Sequence, residues 1–207
     1  MSDKVKWLDW ARRIQAVSQT GLEFAHNEYD IERNNKLAKI ASEIIEYKSN
    51  LSSEDAMEIF LNQEGYATPN VDVRTAVIRD NQILLVKELS DGKWAMPGGW
   101  LDVGDVPSEG AVREAKEESG FDVKPTKVIG VYDANRNSGR LELFHAIKIV
   151  YLCEIISGEA TPSFETPEVD FFDFDDLPEF SLNRTNLKHI EDIKAHLSDP
   201  KKQTEFD

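Results

Sequence analysis

The chain has 207 residues, enough for one sizeable core and a small accessory domain. With 40% hydrophobic and 30% charged residues it reads as an ordinary globular protein, and no apolar run nears the about 18–20 residues of a membrane span. A net charge of −15 argues against duplex DNA or an anionic membrane as partner, while a single cysteine, Cys153, and the absence of a secretory pattern lead us to expect a cytoplasmic protein.

Residues 1–66 read as helices only. "VKWLDWARRIQAV" places Val5, Leu8, Ala11, Ile14 and Val17 on one stripe, with Trp7 and Trp10 beside it and Gly21 as the stop. Asp30 is the expected cap of a second helix through Tyr47, with Leu37, Ile40, Ala41, Ile44 and Ile45 inward. Ser52 precedes a short third helix stopped before Gly65. Three such helices bury little alone, so their stripes are expected to pack on a second domain or a partner subunit.

"GYATPN" breaks the helical period as a linker. Residues 67–200 then alternate as strands: "VDVRTAVI" and "QILLVKE" joined at Asp80–Asn81, "KVIGVYD", "LFHAIKIVYLCEII" and "EVDFFDF". A helix from Ser108 as cap to Gly120 as stop lies among them, and "RTNLKHIEDIKAHL" forms a last helix. The expected class is α+β, an α/β/α sandwich around a mixed sheet, preceded by a small all-helical domain and followed by a frayed tail, 201–207.

The helix from Ser108 carries Glu114, Glu117 and Glu118 at i, i+3 and i+4, so three carboxylates crowd one face. Each such like-charge neighbour weakens a helix by roughly 0.2–0.5 kcal/mol. A hard divalent cation such as Mg²⁺ resolves the conflict, because it prefers oxygen ligands and removes the repulsion. Arg113 is expected to pair with Glu109 at i, i+4, and the Pro97–Gly98–Gly99 run permits close backbone approach to a metal or phosphate. Arg74 and Lys87 could each contact a phosphate, although a solvated strand-end charge is the commoner role of such residues; Trp100 is a candidate border of the substrate.

Gly99, Asp105 and "REAKEESGF" resemble the Nudix box, GX5EX7REUXEEXGU, with Arg113, Glu114, Glu117, Glu118 and Gly120 in register and Asp105 standing where the family has Glu. The resemblance spans about Val71 to Leu197 and implies a Nudix fold and hydrolysis of a nucleoside diphosphate linked to another moiety. It further implies Mg²⁺, with Mn²⁺ able to substitute, held chiefly by Glu114 and Glu118, with Glu117 and the Gly98 carbonyl contributing, and Glu165 or Glu168 as general base. The first 66 residues resemble the helical domain of a Nudix subgroup typified by a Bacillus CDP-choline pyrophosphatase. That likeness, shared by "LFHAIKIVYLCEIISGEA" in the second half, implies a homodimer and, as first choice, CDP-choline cleaved to CMP and phosphocholine; Trp100, Tyr132 and Phe144 are candidates to face the choline. ADP-ribose is the alternative substrate. A short RNA 3′ end is a disfavoured one, and a non-catalytic nucleotide sensor is the non-enzymatic reading.

Overall fold

The computed structural model describes residues 3–134 and 143–207. The described residues divide into two compact units, 3–69 with 143–145, and 70–134 with 146–207.

The first unit holds α1 (Asp3–Glu23), α2 (Glu28–Lys48) and α3 (Ser53–Leu61). Leu8, Ala11, Ala41, Ile45, Ala56 and Phe60 form its core, the alanines letting the helices approach closely, and Leu143 and Phe144 pack against it. Phe144 is thereby accounted for as a packing residue. Gly21 does not end α1; a Cβ there would collide with the Asn34 side chain, so this glycine is where α2 comes close. Asn27, not Asp30, caps α2, its side chain accepting the Asp30 N–H at 2.9 Å while Asp30 sits in the first turn. Ser52 caps α3. Part of the expected stripe is uncovered: Trp10, Val17 and Ile40 are exposed, and a 360 Å³ groove is lined by Trp10, Arg13, Ile14, Val17 and Leu37.

Among the described residues the second unit is built on a seven-stranded mixed sheet in the order β3-β2-β1-β5-β4-β7, with β6 beside β2. Its strands are β1 (Asn70–Arg79), β2 (Gln82–Lys87), β3 (Trp94–Ala95), β4 (Phe121–Asp133), β5 (Ala146–Gly158), β6 (Glu168–Asp173) and β7 (Glu205–Phe206), with helices α4 (Pro107–Ser119) and α5 (Leu187–Ser198). The β1–β2 hairpin turns at Asp80 and Asn81, both at positive φ, a conformation that Asn and Asp tolerate. The "ILLV" run of β2 is buried on both faces, as a central strand demands. Alternation then sorts the layers. Ala76, Ile83 and Leu85 face Ile190 and Ile193 of α5, whereas Val77 and Leu84 face Ala115 of α4. The buried Cys153 belongs to the α4 side.

The tail is not frayed. Glu205 and Phe206 pair in parallel with Gly130 and Val131, the Thr204 hydroxyl donates to the Val128 carbonyl at 2.9 Å, and Lys127 donates to the carbonyls of Pro200 and Lys202. These bonds run to backbone groups, so side-chain polarity in the tail conceals them.

Between β1 and β5 the sheet buries charge. Asp72 receives Arg74 Nη2 at 2.8 Å, Arg74 Nε at 3.0 Å and Lys148 Nζ at 2.7 Å, all three residues being nearly inaccessible. Burial alone would raise the Asp72 carboxyl, but the charges and hydrogen bonds of Arg74 and Lys148 outweigh it and hold it below the usual range. Removing the shared anion strands two buried cations. Asp72→Ala is expected to lower stability by about 3–5 kcal/mol in urea unfolding, and a loss under about 1 kcal/mol would show the pairs are dispensable.

Candidate active site

Helix α4 begins two residues earlier than its sequence suggests. Pro107 takes the first helical position, where a missing N–H costs nothing, and Val106 occupies the cap without a side-chain hydrogen bond; Ser108 is therefore not the cap. At the other end Gly120 adopts φ 80° and donates its N–H to the Lys116 carbonyl at 3.0 Å. A Cβ there would meet the Thr161 side chain at 2.6 Å, so this glycine serves both the helix stop and close packing.

Arg113 does not pair with Glu109. Its guanidinium meets Asp105 Oδ2 at 3.0 Å, Glu114 Oε1 at 2.7 Å and Glu117 Oε2 at 3.4 Å. Asp105 Oδ2 also accepts the Asp102 N–H at 3.1 Å. The shorter side chain thus still braces the loop, tying its backbone to the helix through Arg113. Loop geometry, rather than helical spacing, selects the partner.

Glu118 is buried, and its Oε2 accepts the Gly98 N–H at 2.8 Å. Burial pushes its carboxyl up to about 7, against the opposing charge of Arg74 and the Gly98 hydrogen bond. Glu114 is raised too, first by burial, with Arg113 opposing. Glu117 is exposed. Gly98 is required by contact and conformation, since at φ 145° a Cβ would strike the Val73 carbonyl, while a Cβ at Gly99 would lie 2.7 Å from Glu114 Oε2 and displace that carboxylate. The flanking carbonyls of Pro97 and Gly99 accept the N–H groups of Thr75 and Val73, which fastens this run along β1.

A 270 Å³ cavity is lined by Glu114, Glu117, Glu118, Ser163, Phe164 and Glu165. The structure therefore brings Glu165 together with the helix carboxylates. Glu168 lies on β6 opposite Lys87 of β2, and the two form their own ion pair at 2.7 Å. Arg74 is no solvated strand-end charge; it is committed to Asp72 and to the Met96 carbonyl at 3.2 Å. Trp100 is half exposed and bridges to Asp72 through its backbone. Tyr132 is buried and donates to Asp192 at 2.9 Å, which removes it as a choline contact.

Sequence reading missed Glu88. It is buried at the end of β2, with Arg184 Nε 2.9 Å from its Oε1. Burial raises its carboxyl, and its charge in turn helps to raise Glu118. The motif "LLVKE" gave no sign of this, since a Glu at a strand end is ordinarily solvated.

The donor chemistry of the cavity suits a hard divalent cation: four carboxylates around one space, two of them held partly desolvated. Among the described residues no three His, Cys, Asp or Glu side chains stand ready to coordinate. Glu114 Oε1 is turned to Arg113 and Glu118 Oε2 to the Gly98 amide, so each carboxylate commits one oxygen to a protein partner. Among the described residues no helix is long and apolar enough to cross a membrane.

Comparison with known proteins agrees with this geometry. A Bacillus subtilis protein provisionally named ADP-ribose pyrophosphatase YjhB is 38% identical over 204 residues, covering 99% of this chain and 98% of that one. A crystal structure of a UDP-X diphosphatase matches 99% of each chain at 31% identity and a TM-score of 0.63. The structure of an ADP-ribose pyrophosphatase from Streptococcus suis matches 68% of this chain and all of that one, at 35% identity and a TM-score of 0.62. These names are of ADP-ribose and UDP-linked compounds; CDP-choline, expected from the resemblance across both domains, finds no support among them. Residues 5–60 match the model of a UDP-X-like N-terminal oligomerisation domain. With residues 69–193 matching the NUDIX domain and a relative similar along its whole length, the chain belongs to the Nudix hydrolase family.

Proposed function

We propose that this Nudix hydrolase cleaves the pyrophosphate bond of a nucleoside diphosphate derivative, with ADP-ribose giving AMP and ribose 5-phosphate as the first substrate to test. The observation that carries the chemistry is the cavity in which Glu165 joins Glu114, Glu117 and Glu118. Support for ADP-ribose comes from the names of the Bacillus subtilis and Streptococcus suis relatives. The second reading, a UDP-linked substrate, is favoured by the UDP-X diphosphatase that aligns along the whole chain.

Glu114, Glu117 and Glu118 are the residues to hold Mg²⁺, with the Gly98 carbonyl as a further candidate. When bound, the ion would neutralise pyrophosphate charge, orient it and acidify water. Asp105 and Arg113 keep the loop and helix in fixed relation, so the carboxylates stay convergent. Glu165, which lines the same cavity, is the proposed general base, taking a proton from the attacking water as a new P–O bond forms and the bridging P–O bond breaks. Glu168, paired with Lys87, is the weaker candidate for that role.

For assembly we propose a homodimer through the helical unit. Its exposed Trp10, Val17 and Ile40 are apolar residues on helix faces otherwise turned inward, and the matching domain model is one of oligomerisation. Full-length protein should sediment as a dimer at micromolar concentration, and Val17→Asp, at an exposed position, should shift it toward monomer. A monomeric wild type would reject this.

Two kinetic outcomes test the chemistry. In Mg²⁺, kcat/KM for ADP-ribose should exceed that for CDP-choline by at least about tenfold, a margin near 1.4 kcal/mol in transition-state binding. Preference for CDP-choline would overturn the substrate reading and leave the mechanism standing. Glu118→Gln can still accept the Gly98 N–H yet lacks the charge, so it should fold normally and lose about 10²-fold or more in kcat. Near wild-type turnover would remove Glu118 from the metal site.

A further inference from the structure

Phe164 is a large apolar side chain left 89% exposed at the rim of an acidic cavity. Its backbone is nevertheless firmly placed. The Ser163 hydroxyl lies 2.7 Å from that of Thr166 and accepts the N–H groups of Glu165 and Thr166 at 3.2 and 3.1 Å. The Ser163 N–H donates to the Thr166 carbonyl at 3.0 Å, closing the turn. Thr166, fully buried, donates its hydroxyl to the Glu118 carbonyl at 2.7 Å, and Leu89 N–H donates to the Glu165 carbonyl at 2.9 Å. The turn is thus riveted to the C-terminal end of α4 and to the strand end beyond β2. With the backbone so held, covering the ring costs little backbone ordering.

We infer that Phe164 is the platform on which the substrate's nucleobase stacks while its pyrophosphate lies at the carboxylates. The inference rests on the pyrophosphohydrolase reading above. A phenyl ring has no polar atom with which to read a phosphate or a sugar hydroxyl, but it offers an apolar face to any base. Stacking of this kind is tolerant of base identity, because every base has a π-face. The site would therefore demand a base without strongly choosing between purine and pyrimidine. That accords with relatives named for both ADP-ribose and UDP-linked substrates.

Titration calorimetry in Mg²⁺ with α,β-methylene-ADP, α,β-methylene-UDP and methylenediphosphonate separates the base from the phosphate end. Phe164→Ala should weaken both nucleotide analogues about tenfold and leave methylenediphosphonate within about twofold, with Phe164→Trp restoring nucleotide affinity. Unchanged nucleotide affinity would overturn the inference, as would an equal loss with methylenediphosphonate, which would place the effect on Glu165 and the metal end. Failure of the functional reading has a different signature: wild type binds the analogues yet does not hydrolyse ADP-ribose or a UDP-sugar.

Discussion

The hydrogen bond from the Gly98 N–H to the buried Glu118 carboxylate is the contact on which the site depends. It joins the glycine run beside β1 to the last turn of α4, and it forms only because residue 98 has no Cβ to strike the Val73 carbonyl. From the same helix end the Glu118 carbonyl receives Thr166, and the Ser119 carbonyl receives Thr161. Glycine loop, helix and the segment bearing Glu165 are thereby fixed together. A carboxylate so placed must give up water, and one N–H does not replace it; hence the carboxyl is pushed up to about 7.

That cost has a definite pH dependence. With the folded-state value above the ordinary 4.5, the metal-free protein binds more protons than the unfolded chain between about pH 4.5 and 7. The penalty is absent below that window, grows through it and is complete above it, reaching roughly 3 kcal/mol at most. Arg74 offsets part of it from within the sheet, held there by Asp72, while Glu88 and Glu114 add to it. A bound cation is the natural remedy, because it stabilises the charged form that the fold otherwise disfavours.

The candidate site was legible because its meaning lies in local spacing. Glycine at 98 and 99, carboxylates at 114, 117 and 118, and a glycine stop at 120 are requirements of one loop and one helix. What was illegible is decided by distant chain. Arg113 selects Asp105 over Glu109 because the loop folds back to it. Arg74 is buried because β5 lies beside β1 and delivers Lys148 to the same aspartate from 76 residues away. Glu88 becomes a buried charge through Arg184, far along the chain. Helical stripes overstated burial at Val17 and Ile40, since periodicity reports an apolar face without reporting what covers it. The tail was misjudged because its pairing uses backbone and not side-chain pattern.

The central claim, that the crowded carboxylates form a cation site and are strained without one, is tested most directly by thermal unfolding at pH 8 of the wild type and Glu118→Gln, each with chelator and with excess Mg²⁺. Wild type should gain about 3–6 °C from Mg²⁺ at ten times its dissociation constant, and the variant much less. In chelator the variant should be at least as stable as the wild type. Equal gains in both proteins, or a chelated variant clearly less stable than the wild type, would contradict it.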